Sequence, residues 1–221
     1  MSFGFTIEVW GDRALFTRPE LSVERFTYDF ITPSAARGLV EAIYWHPGLR
    51  VVIDRIQVIN PIEFTTVRRN EVKSKALASS LRSSLEGGAA MPYINTKEDI
   101  QQRAAVILTN VRYAIAFHFE MTEKANASDN PGKFTDIFRR RIEKGQCYAQ
   151  PYFGAREFPA YFKACPEGIA PRGAYAGSGE RDFGLMLFDM DYSNERDIVP
   201  MFYRAIMKNG IVEVSESEVY R

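Results

Sequence analysis

Histidine and cysteine, the residues that most often hold metals, are scarce in this sequence. Among 221 residues there are two of each. Cys147 and Cys165 lie far apart without a CxxC spacing, a pattern that predicts reduced thiols in the cytoplasm. Because the sequence also has no HxxxH motif, no transition-metal site is expected. It has no nucleotide-binding glycine loop either, so we expect no cofactor.

Net charge and long apolar runs are also lacking. The 28 basic and 28 acidic residues give a formal net charge of zero, so bulk charge neither predicts nor excludes a nucleic-acid ligand. No apolar run approaches the roughly 20 residues that a membrane helix needs. The first residues lack the basic and apolar regions of a signal peptide. These absences predict a globular protein of the cytoplasm without a membrane segment.

Apolar residues recur at two periods along the chain. Strict alternation is typical of half-buried strands, and a spacing of three or four residues is typical of helices. By these criteria the predicted strands are residues 3–10, 50–64, 106–121, 183–190 and 211–214, with a short strand after residue 158, and the predicted helices begin at Thr32 and Phe134. Thr32 followed by Pro33 is a typical helix start. Pro61 implies an edge position or a bulge in the second strand.

The order of these elements predicts the fold class. Strand, helix, strand, strand, helix and strand form the βαββαβ order of an α+β, ferredoxin-like domain, which we place at residues 1–165. Residues 65–105 are polar and include a short helix that Gly87 and Gly88 would end. We interpret them as a long excursion out of the core. Residues 166–221 are predicted to form a small C-terminal antiparallel β-sheet module.

Seven segments, in a fixed order along the chain, carry a resemblance to one protein family. They are WGDRALFT (residues 10–17), TPSAARGL (32–39), AIYWHP (42–47), INPI (59–62), FHF (117–119), FGARE (153–157) and MKNG (207–210). Together they make the chain similar to the CRISPR-associated RAMP protein of subtype I-C (Dvulg), the family-five Cas protein. The resemblance runs from residue 10 to residue 210 and so covers nearly the whole chain.

This resemblance implies an activity and a set of partners. Members of the family cleave the repeat of precursor CRISPR RNA without a metal, by attack of a 2′-OH that leaves a 2′,3′-cyclic phosphate. They then stay on the 5′ handle of the mature CRISPR RNA, beside the other subunits of a type I-C Cascade complex. Double-stranded DNA is a further ligand that the same basic surface could bind. The implied fold is a ferredoxin-like domain with a C-terminal β-sheet.

The resemblance also implies a catalytic site in two parts. The family's tyrosine at the end of the first helix corresponds to Tyr44. Its Lys-His pair at the start of the second helix falls at Lys133 and Phe134, so the lysine is kept and the histidine is replaced. The structural alternatives are that Tyr44 is an aromatic packed at a helix end and that Lys133 is a solvated residue at a helix start.

Metal-free RNA cleavage needs a group that takes the 2′-OH proton, stabilisation of the phosphorane charge, and a group that protonates the leaving 5′-oxygen. Lys133, near a helix N-terminus, suits charge stabilisation. Tyr44 suits positioning of the 2′-OH, or its deprotonation if nearby cations lower the tyrosine pKa. His46 is a candidate for the missing proton transfer, although a surface residue before Pro47 is the simpler interpretation. His118 is expected to be structural, on the other face of the sheet.

Clusters of cations are candidates for neutralising RNA phosphates. They comprise Arg37, Arg68, Arg69, Lys73, Lys75, Arg139, Arg140 and Lys144. Charge runs of this kind are also typical of solvated surfaces. Trp45 and Tyr113 could stack on bases, although both suit a core equally well.

Three hypotheses about function follow. The first is an endoribonuclease that cuts CRISPR repeat RNA, and the second is a non-catalytic RNA-binding scaffold of the same complex. Phe134, weighed against the retained Tyr44 and Lys133, separates these two. The third, a small-molecule enzyme on a ferredoxin-like fold, is disfavoured by the shortage of histidine and the lack of a nucleotide-binding loop.

Overall fold

A mostly antiparallel sheet of ten strands dominates the fold. The computed structural model describes residues 4–21, 23–87, 92–165, 170–194 and 197–221, and all counts below refer to these residues. The strands are β1 (Phe5–Ala14), β2 (Arg25–Phe26), β3 (Leu49–Val58), β4 (Glu63–Val72), β5 (Ile100–Met121), β6 (Tyr161–Ala164), β7 (Glu180–Asp191), β8 (Val199–Lys208), β9 (Ile211–Glu213) and β10 (Val219–Tyr220). The helices are α1 (Pro33–Ile43), α2 (Ala78–Leu85) and α3 (Pro131–Lys144). The prediction of a mixed α and β fold is confirmed.

The centre of the sheet has the strand order β3-β5-β1-β6, and all neighbours in it are antiparallel. Helices α1 and α3 cover one face of these strands. On that face Ile7, Val9 and Phe117 are fully buried, as the alternation in residues 3–10 predicts. Glu8 and Trp10 therefore project from the opposite face.

Local sequence determines both ends of α1. The Thr32 hydroxyl accepts a hydrogen bond from the Ala35 N–H at 3.3 Å, which confirms the predicted start. The helix ends at Ile43, and Tyr44 has an extended backbone with φ −154° and ψ 128°. The Tyr44 N–H still donates to the Val40 carbonyl at 3.1 Å. Tyr44 is therefore held at the C-terminal tip of the helix.

Helix α3 has comparable signals at its two ends. The Asn130 side chain accepts a hydrogen bond from the Lys133 N–H at 2.9 Å. Gly145 ends the helix in the left-handed region at φ 62°, which glycine adopts without strain. The helical spacing of Phe134, Ile137, Phe138 and Ile142 predicts an apolar stripe, of which Phe134, Phe138 and Ile142 are buried and Ile137 is partly buried.

One strand prediction is wrong, and one long strand near the C-terminus was missed. The run 50–64 is not one strand, because β3 ends at Val58 and β4 begins at Glu63. Pro61 lies in the connection rather than at an edge or a bulge, since it has no N–H to donate to a neighbouring strand. Strand β8 was not predicted, because its nearly continuous apolar sequence has no alternation to detect.

The excursion predicted at 65–105 lies within a projecting arm, residues 63–109. In it β4 pairs antiparallel with the first half of β5, and α2 lies between them along the chain. The partner of β5 changes from β4 to β3 around Asn110, which has φ 49°. Gly88 and the proposed module boundary at 166 lie outside the described residues. Within the described ranges, no helix is long and apolar enough to cross a membrane.

Candidate active site

Tyr44 lies where the C-terminal end of α1 meets α3. Its half-buried ring packs edge-on against Phe138, with 5.4 Å between centroids, and lies 6.2 Å from the ring of Phe134. The guanidinium of Arg141 lies 5.0 Å from the Tyr44 ring centre, and it also donates to the Ile43 carbonyl at 2.6 Å. Arg141 of α3 therefore contacts both the last residue of α1 and the tyrosine that follows it.

Burial controls the protonation of Tyr44. It raises the pKa of the phenol more than the nearby cations Lys133 and Arg141 lower it. The condition under which Tyr44 could act as a base, a pKa lowered by nearby cations, is not met in the free protein. The phenol stays protonated at neutral pH and can donate a hydrogen bond.

Lys133 lies in the first turn of α3, close to Tyr44. Its ammonium donates to Asp129 Oδ1 at 2.7 Å and lies 5.8 Å from the centre of the Phe134 ring. The side chain is 44% exposed, so a phosphate can reach it. The position suits stabilisation of a developing negative charge by the ammonium and by the helix N-terminus.

His46 is not a freely exposed surface residue, since only 24% of its side chain is accessible. The imidazole packs against Phe134 with 5.1 Å between ring centroids. Its Nδ1 accepts a hydrogen bond from the Gly48 N–H at 3.0 Å, and its Nε2 lies 3.8 Å from Asp129 Oδ2. The structure therefore brings together all three predicted catalytic side chains, Tyr44, Lys133 and His46.

Asp129 connects two of these groups and was missed by the sequence analysis. Its side chain is 1% exposed, and its two oxygens face the Lys133 ammonium and the Asn126 N–H, with His46 near the second oxygen. The hydrogen bond from Lys133 and that from Asn126 hold the pKa of the carboxyl below its usual range. The spacing of four residues between Asp129 and Lys133 was the available signal. No group of three or more potential metal-ligating side chains occurs in the described ranges.

The depressed pKa of Asp129 predicts how stability depends on pH. A carboxyl with a lowered pKa in the folded state stabilises the fold fully above its ordinary pKa of about 4. That contribution is lost as pH falls through the folded-state pKa. We expect Asp129→Asn to lower the free energy of unfolding at pH 7 and the difference from wild type to vanish in strong acid, in urea titrations across pH. Asp136→Asn is the control, because Asp136 is 77% exposed and forms a surface ion pair with Arg139. A difference for Asp129→Asn that does not change with pH would contradict this assignment.

Phe134 is the residue at which the resemblance places the family's histidine. It is fully buried and packs edge-on against Phe119, with 6.3 Å between centroids. His118 points the other way, to Asp54 at 2.7 Å, as the alternation of β5 predicts. The imidazole that lies next to Phe134 is therefore that of His46.

The predicted RNA-binding residues lie on three elements. Arg139, Arg140 and Lys144 are exposed on α3, and Arg68, Lys73 and Lys75 are exposed on the arm. Arg69, also on the arm, pairs with Glu157 and stacks over the Phe158 ring at 5.4 Å. Arg37 is held by Asp189 of β7 through bonds of 2.8 and 3.0 Å, so its charge joins α1 to β7.

The two aromatic residues considered for base stacking differ in exposure. Trp45 is 59% exposed and available, whereas Tyr113 is only 2% exposed. Burial also raises the pKa of the Tyr113 phenol well above its usual range. Tyr113 is therefore a core residue.

The family to which the chain belongs is evident from sequence comparison. The family described as CRISPR-associated protein (Cas_Cas5) matches residues 4–215. A Mannheimia succiniciproducens protein named CRISPR pre-crRNA endoribonuclease Cas5d is 44% identical over 211 residues, covering 94% of this chain and 93% of the relative. A Thermus thermophilus protein of the same name is 34% identical over 235 residues, covering 97% and 94%.

Solved structures share the fold. A crystal structure described as a CRISPR-associated protein superposes with a TM-score of 0.70 at 24% identity, over 99% of this chain and 96% of that one. A Streptococcus mutans protein described as functionally uncharacterised gives the same TM-score and identity, over 99% and 97%. With a family match over nearly its whole length and a relative at 44% identity, the chain belongs to the CRISPR-associated Cas5 family.

Proposed function

We propose that the chain is a metal-independent endoribonuclease that cuts the repeat of precursor CRISPR RNA and leaves a 2′,3′-cyclic phosphate. The observation that carries this proposal is the convergence of Tyr44, Lys133 and His46 around the ring of Phe134. The two relatives named as pre-crRNA endoribonucleases support it, because each aligns over more than nine-tenths of the chain.

In this proposal Lys133 and Tyr44 act at the phosphate and at the attacking 2′-OH. The Lys133 ammonium neutralises the charge of the phosphorane together with the amide groups at the start of α3. In the free protein Asp129 holds that ammonium, so RNA binding brings a second anion to it. The protonated phenol of Tyr44 donates a hydrogen bond that orients the reacting groups, which is a contribution of positioning, and the proton of the attacking 2′-OH passes to solvent water.

His46 supplies the imidazole that Phe134 has displaced. Its Nε2, which lies 3.8 Å from Asp129 Oδ2, donates a proton to the leaving 5′-oxygen. A proton on Nδ1 ends the hydrogen bond from the Gly48 N–H, so that bond belongs to the neutral ring alone. Protonation and release of the ring from Gly48 therefore occur together.

After cleavage, we propose, the chain remains on the 5′ handle within a type I-C Cascade complex in the cytoplasm. The exposed cations of α3 and of the arm would hold the RNA backbone through its phosphates. Double-stranded DNA would bind the same cations, since phosphate contacts do not read sequence. Arg37, Arg69 and Arg139 already face carboxylates. They would therefore contribute less to RNA binding than the other exposed cations of α3 and the arm.

The order of the elements also divides the chain into two parts. We propose that residues 1–165 are a ferredoxin-like domain, supported by the element order β1-α1-β3-β5-α3-β6 and the strand order β3-β5-β1-β6. Residues 166–221 are then the C-terminal module. Strands β7, β8 and β10 support it, and β9 joins their sheet to β3.

A non-catalytic scaffold of the same complex is the second candidate function. One observation favours it: the side chain at the family's histidine position is a phenylalanine with no solvent exposure. Such a subunit would bind CRISPR RNA without cutting it. The two functions differ only in whether His46 replaces the lost imidazole.

Incubation of the protein with the repeat RNA of its own locus in EDTA separates the two. We expect a single cut that persists in EDTA, because cleavage by these side chains needs no metal. Lys133→Ala should slow the cut by about 100-fold or more, the usual effect of removing a group that stabilises the transition-state charge. Tyr44→Phe should slow it less, since it removes one hydrogen bond. RNA binding that is sensitive to salt, without any cut by the wild type, would leave the scaffold as the function.

A further inference from the structure

The face of the sheet opposite the helices carries an uncovered pair of aromatic rings. Trp10 of β1 and Tyr161 of β6 are directly paired across the two strands. Their rings are stacked, with 6.1 Å between centroids and 27° between planes. Tyr161 is 55% exposed. Elsewhere on this face Ala170 packs over Ile59 and Ala114, so the chain covers part of the face and leaves this pair open.

Two cations are fixed beside these rings by a buried carboxylate. Glu8 is 2% exposed. It accepts a hydrogen bond from Arg112 Nε at 2.6 Å, and its other oxygen lies 3.3 Å from the Lys163 ammonium. The Arg112 and Lys163 side chains are 39% and 53% exposed, and the Lys163 ammonium lies 5.6 Å from the centre of the Trp10 ring. Asp12 also lines the cleft at this place, so two cations and two carboxylates lie next to the aromatic surface, and the Lys163 ammonium is the cation nearest to the Trp10 ring.

A cleft of about 270 Å³ lies next to Trp10, and Tyr161, stacked on Trp10, stands just outside its lining. It is lined by Trp10, Arg112 and Lys163, and on its other side by Asn60 and Asn110. The Asn60 amide donates to the Asn110 carbonyl at 2.8 Å, which fixes this polar wall. The cleft thus combines a flat aromatic surface, amides that can bond to the edge of a base, and cations that can meet a phosphate.

We propose that this cleft binds a nucleotide of single-stranded RNA, with its base stacked on Trp10 and Tyr161 and its phosphate near Lys163. Stacking on aromatic side chains flanked by cations is the general mode by which proteins hold unpaired strands. The proposal rests on the proposed function for the choice of RNA. It adds a second contact site, on the opposite sheet face from Tyr44.

The position of the cleft separates it from the candidate active site along the sheet as well. Arg112, beside Trp10, and Phe119, which contacts Phe134, are both in β5. Seven residues of strand place them about 23 Å apart. A nucleotide in the cleft is therefore a different one from the nucleotide that is cut, and the strand must pass around the edge of the sheet.

Tryptophan fluorescence tests the proposal directly. The chain has two tryptophans, so Trp45→Phe leaves Trp10 as the reporter. The probe is the repeat RNA of the same locus with every ribose 2′-O-methylated, which cannot be cut because it has no free 2′-OH. We expect the probe to quench Trp10 emission on binding. An unchanged emission at saturating probe would overturn the proposal.

A variant series gives the energetic test with the same probe. Tyr161→Ala should weaken binding at least fivefold, the lower end of the effect of removing one stacking ring. Tyr161→Phe should bind as the wild type does, because it keeps the ring. Tyr220→Ala is the matched control, a tyrosine of 42% exposure on β10. Equal affinities for Tyr161→Ala and Tyr220→Ala would also overturn the proposal.

The outcomes distinguish this proposal from the nuclease assignment. If the probe quenches Trp10 emission but the protein does not cut unmodified RNA, the nuclease assignment is wrong and the cleft proposal stands. If the wild type cuts unmodified RNA and the Tyr161→Ala variant binds the probe as tightly as the wild type, the nuclease assignment stands and the cleft proposal is wrong.

Discussion

Replacement of His46 by alanine is expected to slow cleavage of repeat RNA by about 100- to 10,000-fold, the usual contribution of a positioned general acid. Affinity for the uncut RNA should change much less, because the exposed cations of α3 and the arm remain. The measurement is the single-turnover cleavage rate at saturating protein. His118→Ala is the control, since it removes the other histidine, which bonds to Asp54 on the far face of the sheet. It should cut at the wild-type rate.

A second substitution tests whether the imidazole has moved between the two segments. In the His46→Ala protein, Phe134→His places an imidazole about one ring diameter from the lost one, at the position of the family's histidine. We expect part of the lost rate to return. A His46→Ala protein that cuts as fast as the wild type would refute the role given to His46. Loss of cutting with no recovery would confine the imidazole to residue 46.

Replacement of Phe138 by alanine has the largest expected effect on stability. Phe138 is fully buried and contacts four aromatic rings, those of Phe5, Tyr44, Phe117 and Phe119, at centroid distances of 5.4 to 5.8 Å. Truncation leaves a cavity in this cluster, so we expect a loss of about 3–5 kcal/mol in the free energy of unfolding. Since domains are stable by only about 5–15 kcal/mol, urea denaturation should show a large shift of the midpoint.

The control for that loss is Phe64→Ala in the arm. Phe64 is 45% exposed, and its ring centroid lies 6.3 Å from that of Phe26. The same chemical change there should cost about 1 kcal/mol. Equal losses for the two variants would mean that the aromatic cluster around Phe138 contributes no more than a surface pair.

The core elements were predictable because their signals lie within a few residues of one another. Thr32 and Pro33 mark the start of α1, and the spacing of Phe134, Phe138 and Ile142 marks the buried face of α3. The arm was only recognised as an excursion. No residue of β4 is buried, so no apolar period marks it as a strand, and its pairing with β5 is a contact between distant segments.

The site was predictable only as far as the family pattern extends. That pattern supplied Tyr44 and Lys133, and it presented Phe134 as a loss. The contact between His46 and Phe134 joins segments far apart in sequence, so only the folded chain shows that an imidazole stands next to the changed position. The pairing of Asp129 with Lys133 could have been found from their spacing of four residues, but its approach to His46 appears only where α3 and the end of α1 meet.

Strand β5 has a mechanical consequence. Its 22 residues form a continuous beam of roughly 70 Å, with β4 on one half and β3 on the other. No loop interrupts this strand, and Asn110, whose backbone is left-handed, lies where its neighbouring strand changes. A force on the outer end of the arm, from RNA or a neighbouring subunit, would tend to bend β5 at Asn110. Phe119, near the other end of the same strand, packs against Phe134, so β5 connects the arm to the side chains around Tyr44, Lys133 and His46.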